Sequence, residues 1–175
     1  VAYGDDRYPV HAIRPRQWVA GLPTVLVTGG VHGYETSGVL GALDFIAGHF
    51  AGYADKNLNL LVLPCISPWG FETINRWNPH AVDPNRSFTA AAIATGTAQE
   101  AAAVMQLLQP YLANVLVHVD LHETTDSDNS EFRPAKAARD GTVNTNWNIP
   151  DGFYLVGDTA KPQPEFQRVM IEAVR

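Results

Sequence analysis

Apolar residues in this chain alternate between short unbroken runs and longer stretches with a helical rhythm. Val25-Leu26-Val27-Thr28 is a run closed by Gly29-Gly30, the pattern of a buried strand entering a tight turn. From Glu35 to Phe50, the residues Val39, Leu40, Leu43, Phe45, Ile46 and Phe50 recur at mostly helical spacing. Leu58 to Ile66 reads as a second buried strand, broken by Pro64 and Pro68. The Ala-rich stretch from Ala98 to Leu112 predicts a helix with Val104, Leu107, Leu108 and Leu112 as its apolar stripe. Val115 to Leu121 is a third strand, and Glu165 to Val174 a last helix.

Strands alternating with helices argue an α/β fold, with a largely parallel sheet buried on both faces and flanked by helices. Sites in such sheets form beyond the carboxyl ends of the strands. The polar residues of interest fall there: His32 and Glu35 after the first strand, His122 after the third. Two long polar stretches, Ser67 to Ile93 and Thr124 to Gly152, read as loops, and loops of that length usually carry function.

Length and composition narrow the partners. The 175 residues fit one domain, 1–175, and 46% hydrophobic with 17% charged residues excludes wholesale disorder. A net charge of -6 without any Lys/Arg-rich run makes nucleic acid and anionic membrane surfaces poor partners. No signal peptide or membrane-length apolar run is visible. Cys65, the single cysteine, lies in an apolar run and reads as a buried small hydrophobe, which favours a reducing, cytoplasmic setting. The chain starts at Val1 without a methionine and ends in a helical pattern without a stop signal, so a catalytic domain cut short at its C-terminal side is expected.

The chemistry gathers in three places. His32-Gly33-Tyr34-Glu35 puts an imidazole and a carboxylate three apart where a strand leads into a helix, and both suit Zn²⁺. Alone, the same tetrapeptide also fits a helix-start glutamate beside an unrelated turn histidine. His122, in Asp120-Leu121-His122-Glu123-Thr124-Thr125, adds a second imidazole at the same sheet edge. Two His and one Glu form the set of catalytic zinc sites that keep a position open for water. His118 shares a strand face with Asp120 and His122 and reads as a structural histidine. In Val82-Asp83-Pro84-Asn85-Arg86-Ser87, the amide and guanidinium of Asn85 and Arg86 can grip a carboxylate. Asp83 is suited to accept the second ring N–H of a metal-bound histidine, and Arg76 adds a cation to the same loop. Surface salt bridges are the plainer account of Arg76 and Arg86.

The order His-x-x-Glu, arginine, Asn-Arg, then a strand-end histidine resembles the zinc metallocarboxypeptidase family, in its succinylglutamate desuccinylase/aspartoacylase-like branch and small bacterial carboxypeptidase-like relatives. The resemblance is strong from about Thr24 to His122 and looser to about Asp158. It implies a zinc-exopeptidase architecture and one Zn²⁺ ion held by His32, Glu35 and His122. Asn85 and Arg86 would bind the substrate's terminal carboxylate, Arg76 would polarise the scissile carbonyl, and Asp83 would be the outer partner of His32. The implied reaction is hydrolysis of an amide bond next to a terminal carboxylate, in a peptide or an N-acyl amino acid.

One family feature is missing. Only Glu123, Glu131, Glu165 and Glu172 follow His122, and none matches the expected general base, which is therefore expected beyond Arg175. Tyr154 comes early for the family's mobile tyrosine and reads as a structural aromatic. Two rivals stay open: an N-acyl amino acid deacylase on the same core, and a non-catalytic binding module that retains the metal. Gly29-Gly30-Val31-His32-Gly33 lacks the features of a nucleotide-binding loop, and no Gly-x-Ser-x-Gly elbow occurs.

Overall fold

The computed structural model describes residues 1–53, 56–150 and 152–174. They form two compact units, Val1–Glu123 and Thr124–Arg175. The first opens with a small antiparallel hairpin, β1 (Ala2–Tyr3) and β2 (Asp6–Arg7). The three apolar runs then become β3 (Thr24–Gly29), β4 (Asn59–Leu63) and β5 (Val115–Leu121). They form one parallel sheet in the order β4-β3-β5, with β3 central.

Helix α1 (Thr36–Gly48) follows β3 and leads over to β4. Its inward face is made of small residues: Gly38, Val39 and Ala42 are buried, whereas Leu40 and Leu43 are exposed. A Cβ at Gly38 would meet the Leu121 carbonyl oxygen at 2.4 Å, so only glycine lets α1 lie this close to the end of β5. Between β4 and β5 come α2 (Pro68–Thr73), a 3₁₀ turn at Pro84–Arg86, α3 (Ala90–Thr95) and α4 (Gln99–Leu108). The stretch from Ser67 to Ile93, expected as loop, thus contains short helices. Pro68 starts α2 at a first-turn position where its missing N–H costs nothing.

Leu26, Val31, Leu61, Leu63, Ile66, Val104 and Leu108 pack into the core between the sheet and α4. β4 is buried at every position, while β5 alternates, its Leu116, His118 and Asp120 being exposed. The expected burial on both faces therefore holds for β4 and not for the edge strand β5.

The second unit holds a π turn at Asp128–Phe132 that runs into α5 (Arg133–Asp140), and then α6 (Pro164–Val174). Arg133 donates to the carbonyl oxygens of Asn146 and Asn148, tying α5 to the segment that follows it. Among the described residues, no helix is long and apolar enough to cross a membrane.

Candidate metal centre

The turn after β3 is held on both sides. Ser67 N–H donates to Gly30 O and its hydroxyl donates to Val31 O. Gly33 lies against the backbone of Gly70, so close that a Cβ there would fall 1.9 Å from Gly70 C. Glu35 N–H donates to His32 O at 3.2 Å, and this tight turn swings both side chains the same way just before α1 begins. The start of α1 also supplies a positive dipole end beside the Glu35 carboxylate.

His122 follows the last residue of β5, and the Gly38 contact brings it to the same place. His32 Nδ1 lies 2.6 Å from Glu35 Oε1, and His122 Nδ1 lies 2.7 Å from Glu35 Oε2. One ligand atom from each of the three falls within 4.8 Å of the others. His32 and Glu35 are buried, whereas about a third of the His122 side chain is exposed.

The far ring nitrogens are held as well. His32 Nε2 lies 3.0 Å from Asp83 Oδ1, and His122 Nε2 lies 2.8 Å from Asp120 Oδ2. Asp83 is fixed by its own turn: it accepts from Asn85 N–H, and its carbonyl accepts from the Ser87 hydroxyl. Upstream, buried Asn78 accepts from the His80 and Val82 N–H groups and donates to Thr97 O, which shapes the approach to Asp83. The outer partner of His122 was not singled out by sequence. The signal was available, since period-two alternation puts Asp120 on the same face as His122.

Arg76 arrives from the end of α2, after Ile74 in a left-handed conformation (φ 56°). Its NH1 donates to the Tyr34 hydroxyl at 2.9 Å and lies 3.7 Å from Glu35 Oε1; its NH2 lies 3.5 Å from Asp83 Oδ2. Asn85 is half-buried, and exposed Arg86 donates to Asn85 O. Glu123 is engaged at the start of α1, where its carboxylate accepts from Ser37 N–H while its own N–H donates to Glu35 Oε2. In the second unit, Tyr154 shares a hydrogen bond with Thr124, and Glu165 and Glu172 both bind Arg168 on exposed α6. Glu131 lies in the π turn.

Electrostatics favour a cation at this point. Burial pushes the Glu35 carboxyl up, but hydrogen bonds from His122 and His32 outweigh it and hold it at about 2. Burial likewise opposes ionisation of Asp83 and Asp120, and is outweighed by His32 and Arg76 for Asp83 and by His122 for Asp120. Burial lowers the pKa of His122, yet its bonds to Asp120 and Glu35 raise it to about 10. With both imidazoles deprotonated as metal ligands, the carboxylates of Glu35, Asp83 and Asp120 outnumber the guanidiniums of Arg76 and Arg86, which leaves the surroundings net negative. Two nitrogens and a carboxylate, each imidazole anchored through its other nitrogen, are a donor set that suits zinc.

Comparison with solved structures finds related folds. A candidate metallopeptidase from Shewanella denitrificans OS217 superposes with a TM-score of 0.56 at 28% identity, over 68% of this chain and 44% of its own. One from Shewanella baltica OS155 gives 0.54 at 26% identity, over 70% of this chain and 47% of its own. One from Shewanella amazonensis SB2B gives 0.52 at 30% identity, over 66% and 45%. The chain thus spans less than half the length of these relatives. Comparison with curated protein sequences returns no match. The sequence pattern of the succinylglutamate desuccinylase/aspartoacylase catalytic domain matches residues 21–144, a span that contains β3 to β5 and every residue around His32, Glu35 and His122. The chain belongs to the succinylglutamate desuccinylase/aspartoacylase family.

Proposed function

We propose that this chain is the core of a zinc-dependent hydrolase with a zinc-exopeptidase architecture, cleaving an amide bond next to a terminal carboxylate. His32, Glu35 and His122 hold one Zn²⁺ ion in this reading. The observation that carries it is the arrangement of His32 Nδ1, Glu35 and His122 Nδ1 around one point, with the Nε2 of each imidazole already on a carboxylate.

A bound zinc ion supplies Lewis-acid polarisation of a carbonyl and a water of lowered pKa. The chain's own residues do the rest. Arg76, beside Glu35 and Asp83, meets negative charge that develops on the carbonyl oxygen. Arg86 and Asn85 take the substrate's carboxylate, so that binding energy becomes orientation. Asp83 keeps the proton of His32 on Nε2 and its Nδ1 lone pair toward the metal.

The Shewanella relatives, described as candidate metallopeptidases, support a peptide substrate. Family membership supports a second reading, a deacylase of N-acyl amino acids. Both substrates present an amide bond and a free carboxylate, which is what Asn85 and Arg86 are assigned to hold.

Metal analysis combined with a panel of C-terminally free peptides and N-acyl amino acids tests these readings. His122→Ala should lose the metal, whereas Arg86→Ala should keep it and chiefly raise KM. Equal zinc loss in both variants, with the fold intact, would contradict the division of roles. Zinc uptake with neither turnover nor binding of any member of the panel would favour a metal-retaining binding module.

A further inference from the structure

Thr28 is 2% exposed and stands opposite Asp120 in the parallel register of β3 with β5. Its hydroxyl has two partners on that strand, Asp120 Oδ1 at 2.5 Å and His118 Nε2 at 2.8 Å. A hydroxyl has a single proton, and a carboxylate can only accept. The Thr28 proton therefore goes to Asp120, and the hydroxyl oxygen accepts from an N–H at His118 Nε2. The other oxygen of Asp120 lies 2.8 Å from His122 Nε2. Hydrogen bonds thus run in one direction from His118 through Thr28 to Asp120, which accepts from both sides. An Asp120 carboxylate held in this rotamer keeps the His122 proton on Nε2 and leaves Nδ1 facing Glu35.

We infer that Thr28 and His118 are positioning residues for His122, locking the carboxylate that sets its orientation and tautomer. This rests on the reading of His32, Glu35 and His122 as metal ligands. Packing alone gives no reason for the hydroxyl. Valine has nearly the shape of threonine and an equal preference for strands, and it would leave no buried polar atom at position 28. His118 lies two residues before Asp120 on the same face of β5, where period-two alternation lets it reach the same hydroxyl.

Thr28→Val, Thr28→Ser and His118→Leu, each in the whole chain, separate hydroxyl from shape. Zinc affinity is measured by chelator competition, the absorption spectrum of the Co²⁺-substituted protein reports ligand geometry, and thermal melting reports the fold. Thr28→Val should weaken zinc binding about 10-fold and change the Co²⁺ spectrum, the low end of the scale for losing an outer partner of a ligand, because Thr28 acts through Asp120. Thr28→Ser should stay within about threefold of the parent on the same scale. His118→Leu, which leaves position 28 untouched, should weaken binding in the same direction without loss of fold. Parent-like zinc affinity in both Thr28→Val and His118→Leu would overturn the inference, as would equal weakening by Thr28→Ser and Thr28→Val. Failure of the parent chain to take up zinc would overturn the metal assignment itself and this inference with it. Zinc uptake by the parent with no response in the variants would overturn the inference alone.

Discussion

Adding one methyl group at Gly38 tests how α1 is held against the end of β5. The new Cβ would meet Leu121 O at 2.4 Å, Leu121 C at 3.1 Å and Leu121 Cβ at 3.3 Å. Ordinary contact begins near 3.4 Å, so α1 or the end of β5 must give by about 1 Å. Much of the obstacle is backbone, which cannot rotate out of the way. Overpacking of this kind costs about 1–3 kcal/mol. For a chain of this length that lowers the melting temperature by about 2–12 °C. The displacement falls between Glu35, just before α1, and His122, just after β5, so Gly38→Ala should also weaken zinc binding. Gly41, one turn along the same helix, is the internal control. Nothing lies within 4 Å of a Cβ there, so Gly41→Ala should stabilise by about 0.5–1 kcal/mol through helix propensity alone. Thermal melts and chelator competition on both variants read the two effects. Parent-like melting and zinc affinity in Gly38→Ala, with Gly41→Ala stabilised as expected, would refute the claim that close approach of α1 builds the site.

The metal-free protein should show a stability profile with two flanks. Glu35, held down at about 2 from an ordinary 4.5, contributes stability that is present above about 4.5 and lost as the pH falls toward 2. His122, raised from 6.5 to about 10, contributes stability that is complete below about 6.5 and lost as the pH rises through 10. Urea unfolding of chelator-treated protein across this range should peak between those limits, and a profile flat from pH 6.5 to 10 would contradict the His122 contacts. Cys65 is pushed up from 9.0 to about 11 by burial, only partly offset by a hydrogen bond from Ser67. At pH 8 its thiolate fraction, and with it the rate of disulfide-reagent attack, should be about 100-fold below that of the urea-unfolded chain. Comparable rates in the folded and unfolded chains would show the thiol to be accessible and unperturbed.

Much of the framework was legible in the sequence because it rests on local pattern. Val25 to Thr28 and Val115 to Leu121 read as strands and are found within β3 and β5, since unbroken apolar runs bounded by turn residues admit few alternatives. Glu35 to Phe50 and Ala98 to Leu112 read as helices and are found as α1 and α4, each a little shorter. His-x-x-Glu at one strand end and a histidine at another suggested a shared site, because strand ends of a parallel sheet lie on one edge. The short helices α2 and α3 were read as loop. Their six residues each are too few for a hydrophobic period to emerge, and one starts at a proline that otherwise marks a turn.

What the sequence left unseen consists of contacts between segments far apart in the chain. The order β4-β3-β5 depends on how two crossovers pack, and no local window contains that information. Gly38 reads as a poor helix residue and proves to be where α1 touches β5, 83 positions along the chain at Leu121. Thr28 reads as the polar end of an apolar run, yet its hydroxyl reaches Asp120 and His118 only once β3 and β5 pair in register. The three ligand candidates were legible because metal donors are rare residue types with recognisable spacing. The groups that orient them are not rare, and only the register brings them together. A sequence search for related sites should therefore test position 28 jointly with Asp120 and His118: a hydroxyl residue at the end of the first strand is informative only where the facing strand carries His-x-Asp-x-His.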